Sequence, residues 1–136
     1  MAQPSAYEQY MLELMNHARS NPGAEAARLG IGLNDGVAAG TLSGAPEQPL
    51  AFNPQLIDAA QQHSAWMLAT DTFSHTGANG SSPGDRMNAA GYGFNGAWGW
   101  GENIAIQYGP GVTLDQGMAD TLEAMLFKAR NTGRTS

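Results

Sequence analysis

The chain has 136 residues, 42% of them apolar, which suits one folded domain with a real core and argues against disorder. Twelve acids against six Lys and Arg give a formal charge of -6, and no basic stripe is present to attract a nucleic acid. There are no cysteines, so disulfides and thiolate metal ligands are excluded, and no stretch is long and apolar enough to span a membrane.

The charge is unevenly placed. The only cations before Lys128 are Arg19, Arg28 and Arg86, whereas the last nine residues hold Lys128, Arg130 and Arg134 and no acid. The opening, Met1-Ala2-Gln3-Pro4-Ser5, lacks the basic and apolar regions of a signal peptide.

Ser5, with Glu8 three residues on, predicts a capping box. Tyr7, Tyr10, Met11, Leu14, Met15 and Ala18 then recur at helical spacing, and Asn21-Pro22 ends that helix. His17 and Arg19 suit its C-terminal dipole. A second, short helix is expected from Pro22 to Leu29, stopped by Gly30 and Gly32. Asn34 to Gln48 reads as a loop.

Asn53-Pro54 opens a strong helix that runs to about Thr70. Its apolar stripe is Leu56, Ala59, Ala60, His63, Met67 and Leu68, with Phe52 and Ile57 placed as a hydrophobic staple. His63, lying on that stripe, reads as a core histidine with a hydrogen-bonded ring. Ser82-Pro83 opens a short helix to Ala90, with Asp85 at its N-terminus and Arg86 available to pair with an acid elsewhere.

Tyr92 to Trp100 mixes Phe94, Trp98 and Trp100 with glycines, which suits packing on a neighbouring backbone or lining a groove. The candidate ligand groove is Tyr92, Trp98, Trp100 and Asn103. Residues 102–106 are expected as a turn into a brief extended segment. A last helix is expected through Met118, Leu122, Met125 and Leu126, followed by a disordered basic tail over 128–136.

Chemistry gathers at Ser74-His75-Thr76-Gly77 and Gly101-Glu102-Asn103-Ile104-Ala105. One offers an imidazole and the other a carboxylate, far apart in sequence. Such a pair can hold a metal, share a proton, or lock two elements together. A zinc site needs about three protein ligands, and Glu123 is the other candidate acid. Ser74, Ser81 and Ser82 lie near His75 but outside any nucleophile elbow. Asn79, Ser81 and Asp85 do not have EF-hand spacing.

Several of these segments resemble one known family. Leu14-Met15-Asn16-His17-Ala18-Arg19-Ser20-Asn21-Pro22 is similar to the opening helix of bacterial members of the CAP superfamily. That family groups cysteine-rich secretory proteins, antigen 5 and pathogenesis-related 1 proteins, and its unit is also called the SCP domain. Leu50-Ala51-Phe52-Asn53 through Met67, Phe73-Ser74-His75-Thr76-Gly77, Gly80 through Arg86 and Gly101-Glu102-Asn103-Ile104-Ala105 resemble further segments in the same order.

The resemblance implies an α+β fold, an α-β-α sandwich with a small antiparallel sheet. Here it is expected to be incomplete, mostly helical and lacking its C-terminal strands, within a single domain over residues 5–127. It makes His75 the first cavity histidine and Glu102 the first glutamate, with zinc or another divalent cation as the implied cofactor. The second histidine of the family has no counterpart after Phe127, and a homodimer would complete the sheet. An extracellular or periplasmic setting follows from the resemblance. Three functions are open: non-catalytic binding of a small hydrophobic ligand or cell-surface component, a metal-dependent hydrolase using His75 and Glu102, or a structural fragment without activity of its own.

Overall fold

The computed structural model describes residues 3–36, 38–96 and 99–106. Their contacts form two compact units. One holds the described residues of 5–51 with 105–106, and the other holds those of 3–4 and 52–104.

The unit of 5–51 is built on α1 (Ala6–Ser20) and α2 (Pro22–Arg28). The expected capping box forms: Ser5 Oγ accepts from Glu8 N at 3.1 Å, and Glu8 Oε2 accepts from Ser5 N at 3.2 Å. Asn21 leaves the α region with φ -152°, as a residue before proline should. Its Oδ1 then accepts from Ala24 N at 3.2 Å, so one residue ends α1 and caps α2. Ala18 and Ala26 are buried, and α1 packs on α2.

Two asparagines organise the loop that follows. Asn34 accepts from Leu42 N at 2.7 Å and donates to Leu42 O at 3.1 Å. Asn16 does the same to Leu50, at 2.7 Å and 3.0 Å. Each amide takes both hydrogen-bonding groups of a leucine, replacing a backbone partner. Arg19 Nε donates to Gln48 O at 2.9 Å, and Glu47 N donates to Arg19 O at 2.8 Å. Arg19 therefore fastens the loop to α1 rather than only complementing the helix dipole.

The second unit is built on α3 (Pro54–Thr70) and α4 (Pro83–Ala89), which pack together. Asn53 Oδ1 caps α3 by accepting from Gln55 N and Leu56 N at 3.0 and 3.1 Å. Asp71 closes α3 in the left-handed conformation, with φ 51°. Ile57, Ala59 and His63 are its buried residues. Ala60 and Leu68 depart from the expected stripe, and Leu68 is 77% exposed. Leu68 lies near the meridian of buried Ile57, on which Ser64 is exposed too, while Trp66 and Met67 are half-buried, so the covered face is narrower than the apolar stripe.

Ser82 and Asp85 make a second capping box, at 3.1 Å and 2.9 Å, that starts α4. After Ala90 and Gly91 the described chain is irregular. Among the described residues there are helices and no strand, so the expected antiparallel sheet is not found in them. Residues 102–106, expected as a turn into a brief extended segment, are irregular and make no ladder among the described residues, and the Glu102 side chain is engaged by His75 and Arg86. The expected last helix and basic tail lie outside the described residues.

Candidate functional site

The site lies within the second unit, on the segment between α3 and α4. Ser74 Oγ accepts from Thr76 N at 3.0 Å and tightens the turn around His75. The turn is then held from both helices. From α3, His63 Nε2 donates to Ser74 O at 2.8 Å. From α4, Arg86 Nη1 donates to His75 O at 3.0 Å and to Ser81 O at 2.9 Å. Two consecutive carbonyls are thus fixed by two different helices.

Gly77 fits between these groups because it has no side chain. A Cβ there would come within 2.9 Å of Arg86 Nη1 and Ser81 Oγ, and within 3.0 Å of His63 Nδ1. Its φ of -106° is open to any residue, so the requirement is for space. His63 is only 4% exposed, and its ring stacks on Trp66 with centroids 5.6 Å apart. Donating from Nε2 leaves Nδ1 as an acceptor, buried and without a donor among the described residues. His63 is a core histidine with one hydrogen bond, which matches the reading of the helix stripe.

Glu102 meets the turn from the irregular segment. Its Oε1 lies 2.8 Å from His75 Nδ1, and its Oε2 accepts from Arg86 Nη2 at 2.6 Å. The three side chains are largely covered, at 23% exposure for His75, 17% for Glu102 and 12% for Arg86. At these lengths the bonds are charge-assisted and shielded from water, which makes them stronger than a surface pair. The order is Arg86, Glu102, His75: a guanidinium anchors a carboxylate, which holds an imidazole.

The model of the CAP family, described as the cysteine-rich secretory protein family, matches residues 12–122. This chain belongs to the CAP family. No curated protein and no solved structure is significantly similar to it. The match spans both His75 and Glu102, and it covers a chain with no cysteine. CAP membership implies the α-β-α fold, of which the helices are the part seen among the described residues.

The other expected site residues are distributed as follows. Trp100 is 45% exposed, and its indole lies over Gly84 in the first turn of α4, where a Cβ would approach Nε1 to 2.7 Å. Tyr92 is half-buried and meets Phe94 edge to face at 5.1 Å. Asn103 is exposed. Trp98 and Glu123 lie outside the described residues. A small cleft of about 110 Å³ is lined by Ala59, Gln62, Arg86, Ala89 and Ala90.

Sequence reasoning paired His75 with Glu102 and left Arg86 with an unnamed acid. It missed Ser81 and Gly77 as parts of the same knot. Only the Ser82-x-x-Asp85 spacing carried a readable signal there, that of a capping box.

As donors, the described residues fit a resident zinc ion poorly. No third His, Asp or Glu joins His75 and Glu102 among them, and both Glu102 oxygens are already engaged within the protein, one by His75 and one by Arg86. The pair has the form of a histidine with its orienting carboxylate.

Proposed function

We propose that this CAP domain is a non-catalytic binding module of the extracellular or periplasmic space, with His75 as the oriented polar group of its site. The observation that carries this reading is the double engagement of Glu102, with Oε1 on His75 and Oε2 on Arg86. A carboxylate acting as a general base needs an oxygen directed at its substrate. This one is directed at its own protein. The apolar side of the binding surface is assigned to Trp100 and Tyr92 with Trp98, and a small hydrophobic molecule is the ligand class that suits it.

Anilinonaphthalene sulfonate is a suitable probe for that surface. Saturable binding that disappears in Trp100→Ala is expected; binding unchanged by that substitution, or no saturation at all, overturns the assignment.

A metal-dependent hydrolase is the second reading, favoured by one observation. A histidine whose Nδ1 is held by a carboxylate is the usual form of a metal-ligating histidine, so His75 suits one ligand position, with Glu102 as its support. Glu123 would be a further ligand in that reading. Zinc titration by calorimetry, with His75→Ala beside the parent chain and the oligomeric state read on the same sample, separates the two. The binding-module reading expects no tight stoichiometric uptake. Tight uptake that depends on His75 would replace it with the metal-dependent one.

A further inference from the structure

We propose that Arg86 is a positioning residue that fixes the ring proton of His75 on Nδ1, acting through Glu102. The argument begins with the guanidinium, which is planar, always charged and able only to donate. Its Nη2 gives a 2.6 Å bond to Glu102 Oε2 in a largely covered site. The carboxylate paired with that guanidinium can only accept at Oε1. An acceptor 2.8 Å from Nδ1 calls for a proton on that nitrogen. In the neutral ring the lone pair then belongs to Nε2.

The other arm of the same guanidinium makes this more than an ion pair. Nη1 donates to the backbone carbonyl of His75 itself. Arg86 therefore holds His75 twice, by its main chain directly and by its ring through Glu102. The contacts close a cycle: guanidinium, His75 carbonyl, His75 ring, Glu102 carboxylate, guanidinium. Nη1 is also tied to Ser81 O, which leaves the fork little freedom to turn. A lysine would keep the charge but not the two fixed directions.

The proton placement is independent of what His75 binds. Its use rests on the reading of His75 as the polar group of the site. The test contains no ligand, so its failure would leave the binding experiments standing.

The test is ¹⁵N NMR of the histidine rings, at a pH where they are neutral, in the parent chain, Arg86→Lys and Arg86→Met. The parent chain is expected to show His75 predominantly with the proton on Nδ1. In Arg86→Met that single form should give way to a mixture, and in Arg86→Lys the shift should be partial. The bond from His63 Nε2 to Ser74 O does not involve Arg86, so unchanged His63 signals mark an intact fold. A parent chain with the His75 proton on Nε2 overturns the proposal at once, whether or not the variants fold. A folded Arg86→Met with His75 unaltered overturns it as well.

Discussion

Arg86 and Glu102 stand sixteen residues apart in the chain and meet at 2.6 Å, with neither side chain more than a fifth exposed. Removing one partner of such a pair leaves the other covered and unmatched. Glu102→Gln and Arg86→Met are each expected to cost about 1–3 kcal/mol, less than in a fully buried pair because some water still reaches the site. The double variant should cost less than the sum. A double-mutant cycle by urea unfolding should give a coupling of about 0.5–3 kcal/mol. Additive costs would mean that the contact contributes nothing to stability.

Gly77 is predicted to resist substitution for lack of room. The three polar atoms around its missing Cβ are held by His63, Ser81 and Arg86, and none is the end of a free side chain. Gly77→Ala should destabilise by about 1–3 kcal/mol through overpacking, read as a lowered thermal midpoint. A neutral or stabilising effect, as expected for a glycine in open space, would show that the knot around His75 is loose.

Gly84 sets helix propensity against packing. Alanine is the better helix former by about 1 kcal/mol in a helix interior. At Gly84, though, its Cβ would approach Trp100 Nε1 to 2.7 Å. Gly84→Ala is expected to displace the indole, with a change in near-ultraviolet circular dichroism and no gain in stability. In Trp100→Ala the same substitution should become stabilising, because the obstacle is gone.

Ser82 and Asp85 give a prediction in pH. The main-chain and hydroxyl hydrogen bonds from Ser82 hold the Asp85 carboxyl below its usual range, with Arg86 adding a smaller pull in the same direction. Because the folded-state value is the lower one, the contribution is present above the ordinary aspartate range and is lost as pH falls through the lowered value. Asp85→Asn should therefore be less stable than the parent chain near neutrality, and the gap should narrow in acid. A gap constant with pH would assign the effect to the loss of shape alone. Ser82→Ala, which removes the cap itself, is expected to cost about 1 kcal/mol.

The helices were legible because their causes are local. Ser5 with Glu8, Asn21 before Pro22, and Asn53 before Pro54 each signal a boundary within a few residues, and each appears where the spacing puts it. The burial of His63 followed from the period of α3. Leu68 shows the limit of that reasoning, since a period marks the apolar stripe but not how much of its width a neighbour covers.

The sequence by itself determined where the described helices α1 to α4 of this CAP domain begin and end, and it singled out His75 and Glu102 as a candidate pair. Those follow from capping groups, proline, apolar period and the order of its motifs. Only the tertiary structure decided that Arg86 is the acid's partner, that its fork also holds the His75 carbonyl, and that Gly77 is the space left between three polar groups. These are contacts between segments separated by turns and a helix. They depend on direction and distance in space, which no local pattern of residues encodes.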